Sequence, residues 1–164
     1  SNINLICEMS KCHKPTFISL GLSDENEFLD IYNKFNWDPP DQLIPMLCVS
    51  KYPAEPRDCN LRMINKFYQA GYEPVGWSDH TRSEAVIHGA ICMDAEWIEF
   101  HVDLDDGKGW ENDKHCWSMG RAGHMITRAR KLERAIGVAD WNVIKESRTD
   151  TKHRHNPETG VRGE

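Results

Sequence analysis

Two short runs of strand-forming residues, Val75-Gly76-Trp77-Ser78-Asp79-His80-Thr81 and Trp97-Ile98-Glu99-Phe100-His101, constrain the fold more than any other feature of the chain. Each changes at its carboxyl end from apolar to polar, metal-capable side chains, and a helix-length segment, 83 to 93, separates them. Strand, helix and strand at this spacing make a parallel unit whose strand ends lie side by side beneath the loops of an active face. Strand side chains alternate, so Ser78 shares a face with His80, and Glu99 with His101. Two imidazoles can therefore meet over one ion.

The same rhythm runs through the rest of the chain. A helix-like segment, 3 to 11, comes first, and Thr16-Phe17-Ile18-Ser19-Leu20-Gly21 follows as a buried-strand pattern. Ser23-Asp24-Glu25 supplies an N-cap and acidic first turn for a helix with its apolar stripe at Phe28, Leu29, Ile31, Tyr32 and Phe35. The run 43 to 49 is almost continuously apolar, as a parallel strand covered on both faces should be, with Pro45 expected near its start. A Pro-rich loop, 50 to 56, belongs to the active face, and Asp58 is placed to cap a helix carrying Leu61, Ile64, Phe67 and Tyr68 that stops at Gly71. The strand from Trp97 is expected to reach Val102. After an acidic, glycine-bearing loop, a last helix, about 122 to 136, ends at Gly137. Four strands, each followed by a helix, amount to an α/β fold: half of an eight-stranded (β/α) barrel of the TIM type, or a four-stranded open sheet. Residues 1–139 form that part, and 140–164, without apolar periodicity, are expected to be a polar tail or linker, disordered by composition.

Composition narrows the class. At 164 residues one domain is expected. A net charge of −6, with no basic stripe ahead of the tail, speaks against a nucleic-acid partner. No apolar run approaches 18 residues and no charged-then-apolar leader opens the chain, so neither a membrane span nor a signal peptide is expected. The six cysteines lack paired spacing and are expected to be reduced thiols of a cytoplasmic protein. The chain opens at Ser1-Asn2, as processing or truncation would leave it.

The runs Thr16 to Gly21, Leu47-Cys-Val-Ser-Lys-Tyr-Pro53 with Asp58-Cys-Asn-Leu-Arg62, Val75 to Thr81 and Trp97 to His101 stand in the order and spacing of the sialic acid synthases. Over nearly all of residues 5 to 137 the chain resembles the carboxyl-terminal half of that family's barrel, strands five to eight. The resemblance implies a phosphoenolpyruvate-dependent condensation. A divalent metal, typically Mn2+ with Mg2+ or Co2+ as alternatives, polarises the aldehyde of an N-acylated amino sugar such as N-acetylmannosamine, and phosphate leaves to give a nonulosonic acid.

Carried over by position, the resemblance implies His80 and His101 as metal ligands, and Ser19 and Ser78 as phosphate-binding hydroxyls. Ser50 stands where the family has an asparagine, Tyr52 lies near the sugar, and Asp113 approximates an acid that binds sugar hydroxyls. Asp79 and Glu99 are expected to act as carboxylates orienting the loop or a histidine. The family's phosphoenolpyruvate-binding lysines and a catalytic glutamate lie on strands one to four, outside this chain. Lys51 and Lys108 are cations near the site, read as solvated loop charges rather than substitutes. An open half barrel must pair its edges, so a homo-oligomer or an amino-terminal half-barrel chain is the expected partner. Two alternatives stay open: a catalytically inactive binding or scaffold module, and another metal-dependent aldolase.

Overall fold

A computed structural model of the chain describes residues 2–34, 43–104, 115–140 and 142–143. Asp113, Lys108 and most of the expected tail lie outside the described residues. The chain divides into two units, Ser1–Glu133 and Arg134–Glu164, and the sheets and site belong to the first.

Helix α1, Ile3–Ser10, is capped by the Asn2 side chain, which accepts the Leu5 N–H. Strand β1, Thr16–Ser19, leads to α2, Glu25–Lys34. There Asp24 is the cap: its Oδ1 accepts the Glu27 N–H at 2.9 Å, and Glu27 Oε2 accepts the Asp24 N–H at 3.2 Å, a reciprocal capping box. Strand β2, Leu43–Cys48, a 3-10 turn, Pro56–Asp58, and helix α3, Arg62–Gln69, come next. Strand β3, Gly76–Asp79, helix α4, Glu84–Cys92, and strand β4, Trp97–Phe100, complete the alternation. The four strands pair in sequence order, all parallel. This is the half barrel expected from the strand-helix rhythm.

Three details differ from the sequence expectation. Asp58 does not cap α3; Leu61 stands at the cap without a side-chain bond, and Asp58 accepts from Lys51 Nζ at 3.0 Å instead. The strand from Trp97 breaks at His101, because the His101 carbonyl accepts the Trp117 N–H at 2.8 Å. Strand β5, Val102–Asp103, thus pairs parallel with β6, Trp117–Ser118, as a second small sheet. Helix α5 then starts early, spanning Met119–Ile136. Pro45 is the third residue of β2, one step before the β2–β3 ladder begins at Met46. Gly71 closes α3 at φ +82°, the left-handed geometry that favours glycine.

The outer face of the sheet carries the core. Cys59, Ile64, Val75, Trp77, Val86 and Ala90 pack together under α3 and α4. Ile87, Trp117, Ala122 and Met125 continue that layer beneath α5, so α4 contributes to both clusters. Phe28 of α2 stands 4.9 Å, ring centre to ring centre, from both Phe67 and Tyr72, joining α2 to α3.

The inner face buries Ile44 and Met46 of β2 and leaves its outer strands more exposed. Phe17 of β1 and Trp97 of β4, at the two ends of the strand order, meet edge to face at 5.0 Å, which requires the sheet to curl strongly. Both remain 43% and 46% exposed. Gly76 lies between them in the strand order, and a Cβ there would stand 2.1 Å from Met46 Sδ and 3.2 Å from Trp97 Cβ. Its missing side chain leaves the space that neighbouring side chains fill.

Candidate active site at the carboxyl ends of the strands

A cavity of about 490 Å³ opens at the carboxyl ends of the four strands. Of the residues singled out from the sequence, Ser19, Ser50, Tyr52, Ser78, His80, Glu99 and His101 all line it. Alternation explains the grouping: Ser78 pairs in register with Glu99, two residues along from Gly76 and Trp97 and so on the same face.

The hydrogen bonds set the chemistry of His80, which is 5% exposed. Its Nδ1 lies 2.7 Å from the Val49 carbonyl, an acceptor only, so Nδ1 carries the proton and Nε2 holds a lone pair. Ser78 Oγ donates its one proton to Glu99 Oε1 at 2.6 Å, while its separation from His80 Nε2 is 3.4 Å. In the neutral ring the Nε2 lone pair therefore receives no proton from Ser78. The His80 carbonyl accepts the Ala54 N–H at 2.9 Å, which fixes the residue at its backbone as well. The His101 ring centre lies 5.3 Å from that of His80. An ion about 2.1 Å from each nitrogen would separate ligating ring centres by roughly 4.6–5.3 Å, and the observed separation stands at the upper end of that range.

Tyr52 packs its ring 4.2 Å from His80 and 5.9 Å from His101. Burial pushes its phenol above the usual value, and neighbouring Cys48 and Glu99 act in the same direction. Its hydroxyl is thus kept as a neutral donor at the rim. Ser19 and Ser50 stand on the β1 and β2 sides, and Gly21 brings backbone close: a Cβ there would fall 2.2 Å from Ser50 Oγ and 2.8 Å from Cys48 Sγ.

Asp79 occupies the other face of β3 and is 0% exposed. Its Oδ1 accepts from Thr81 Oγ1 at 2.7 Å and its Oδ2 from the Arg82 N–H at 3.0 Å, with the Trp77 indole N–H at 3.5 Å. It holds the loop that follows His80 and does not enter the cavity. Glu99 does enter it and orients Ser78. Lys51 forms its ion pair with Asp58 and lies outside the cavity lining.

Sequence reasoning missed Cys48, which lines the cavity as well. Burial raises its thiol, with backbone hydrogen bonds at Gly21 and Leu20 opposing. Its position two residues before Ser50, on the same strand face, was the available signal. Ser23 and Glu27, from the start of α2, also reach the cavity, a contact the one-dimensional pattern does not carry.

Comparison with known proteins agrees with this geometry. The chain is 28% identical over 140 residues to mouse N-acetylneuraminate-9-phosphate synthase, covering 84% of this chain and 38% of that protein. To the pseudaminic acid synthase of Campylobacter jejuni it is 30% identical, covering 82% and 39% respectively. It spans well under half the length of these curated relatives. Among solved structures, the N-acetylneuraminic acid synthetase of Leptospira borgpetersenii, in complex with citrate, superimposes with a TM-score of 0.72 at 21% identity, covering 90% of this chain and 54% of that one. The spore coat polysaccharide biosynthesis protein spsE of Bacillus subtilis gives 0.73 at 23% identity, covering 82% and 38%. These likenesses establish the TIM-barrel fold of which this sheet is one half. Residues 1–140 match the NeuB family, and with the sialic, pseudaminic and legionaminic acid synthases among its relatives the chain belongs to that family.

Proposed function

We propose that this chain is the metal- and phosphate-binding half of a nonulosonic acid synthase active centre, which condenses phosphoenolpyruvate with an N-acylated amino sugar and releases phosphate. The observation that carries this is the convergence of Ser19, Ser50 and Ser78 with two histidines, Glu99 and Tyr52 on one cavity, where the Nε2 of a neutral His80 ring takes no proton from Ser78. A divalent ion at His80 and His101, manganese or else magnesium or cobalt, supplies Lewis-acid polarisation of the sugar aldehyde. Ser19 and Ser50 offer hydroxyls to the phosphate, and Ser78 joins them once its hydroxyl turns from the Glu99 carboxylate that accepts its hydrogen bond in the free chain. Tyr52 covers both imidazoles and keeps water from one side of them. Asp79 positions rather than binds, holding the loop through Thr81 and Arg82.

The cationic groups that would neutralise the phosphoenolpyruvate carboxylate come from strands one to four, supplied by an amino-terminal half barrel that pairs the open edges of β1 and β4; a second copy could pair those edges but would not bring the groups. Six free cysteines suit a reducing, cytoplasmic compartment, and among the described residues no helix is long and apolar enough to cross a membrane. A binding module without turnover is the second reading, favoured by the ion pairing of Lys51 away from the cavity.

Incubation of the chain, alone and with the amino-terminal half, with manganese, phosphoenolpyruvate and N-acetylmannosamine tests the proposal through phosphate release and nonulosonic acid formation. Turnover that requires both halves is the expected result. No product in either mixture, with manganese still bound, would leave the binding module as the function.

A further inference from the structure

The histidine pair does not exhaust the donors on this face. The Trp117 N–H bond to the His101 carbonyl, which founds the β5–β6 sheet, also sets the two residues before Trp117 beside His101. One ligand atom from each of His101, His115 and Cys116 lies within 4.8 Å of the other two, and among the described residues no other three such side chains converge. The ring centres of His101 and His115 are 4.7 Å apart, inside the range two ligating imidazoles span around one ion. Cys116 Sγ stands 3.7 Å from His115 Nε2. A tetrahedral ion with bonds of about 2.1 Å to nitrogen and 2.3 Å to sulfur would place those two atoms about 3.6 Å apart. His115 is 7% exposed and Cys116 half-buried, so little side-chain freedom remains to be lost on binding.

We propose that His101, His115 and Cys116 form a ligand set for a zinc-class cation, Zn2+ or Co2+, with the fourth position open to an oxygen ligand. This rests on His101 being an ion ligand, as in the function proposed above, and adds a sulfur donor to it. Binding converts the Cys116 thiol to a thiolate bonded to the cation, and its proton leaves to solvent. A thiolate favours zinc and cobalt over manganese and magnesium, which prefer oxygen, so Cys116 would decide which metal the face accepts. The identity of the bound metal would then depend on cysteine oxidation, because an oxidised Cys116 offers only the oxygen and imidazole donors.

Titration of the reduced 164-residue chain with Co2+, followed by ultraviolet and visible absorption, tests this without any turnover. The expected result is a sulfur-to-cobalt charge-transfer band saturating at one ion per chain. It should be lost in Cys116→Ser, weakened in His115→Gln and kept in Cys12→Ser, whose exposed thiol serves as the control. Competition should show zinc affinity falling by about tenfold or more in Cys116→Ser while manganese affinity changes less than about twofold. In His80→Ala the cobalt band should persist while manganese binding is lost. Cobalt bound without the band, or a band that survives Cys116→Ser, overturns the inference. If manganese binding by the parent is intact in that case, the His80–His101 reading stands and only the sulfur ligand is excluded.

Discussion

Replacement of Asp79 gives the most direct test of how the active face is held. The carboxyl is fully enclosed and makes two short bonds, 2.7 Å from Thr81 Oγ1 and 3.0 Å from the Arg82 N–H, plus the long contact from Trp77. Hydrogen bonds to a charged partner contribute about 1.5–3 kcal/mol each, and a buried donor left without a partner costs about 1–3 kcal/mol. Thr81 can turn toward water, whereas the Arg82 N–H is fixed by its backbone, which adopts the left-handed φ of +55°. Asp79→Ala should therefore destabilise the chain by about 3–5 kcal/mol, a large fraction of the usual stability of a domain. Asp79→Asn keeps one oxygen acceptor, and only one of the two donors can be satisfied, so it should lose about half as much. Urea unfolding followed by far-ultraviolet circular dichroism, at one protein concentration, reads both as shifts in midpoint at constant slope. His80 directly precedes this loop, so manganese affinity should fall alongside stability. Shifts below about 1 kcal/mol in both variants, or equal losses in both, would refute the account of Asp79 as the clasp of the loop.

Three further outcomes are expected. His80→Ala should abolish manganese binding, measured by electron paramagnetic resonance; unaltered affinity would remove His80 from the ligand set. Gly76→Val should destabilise by about 1–3 kcal/mol, because the space a Cβ would enter is taken by Met46 Sδ and Trp97 Cβ, and a neutral result in thermal unfolding would show that the inner face repacks freely. Cys59 should resist iodoacetamide at neutral pH while the exposed Cys12 and Cys92 react, as counted by mass spectrometry. Burial, with Asp79 and Asp58 adding to it, pushes the Cys59 thiol up to about 11, so almost no thiolate exists there below pH 9.

The half barrel was legible because each strand carries its own signal. The apolar run of β2 and the polar endings of β3 and β4 are local patterns, and alternation alone assigns Ser78, His80, Glu99 and His101 to one face. What escaped was set by contacts between distant segments. Asp58 looks like a cap in one dimension, but Lys51 reaches it from seven residues upstream and the 3-10 turn absorbs it. His115 and Cys116 carry no periodic pattern, and the Trp117 bond to the His101 carbonyl helps draw them to the site. Asp79 was legible as a second carboxylate near the histidines, yet its odd position in the strand already put it on the opposite face, where it serves the loop.

The contact between Phe17 and Trp97 bears on how the chain folds. Within the four-stranded sheet the backbone pairings join neighbours in sequence order, and such local pairings close short loops at small entropic cost. Phe17 and Trp97 bring together the two ends of the strand order, and their meeting makes sense only after β2 and β3 have paired between them. The curl of the sheet thus comes late on the folding path. It is closed by two residues of this chain, so the bend of the sheet needs no second chain to form.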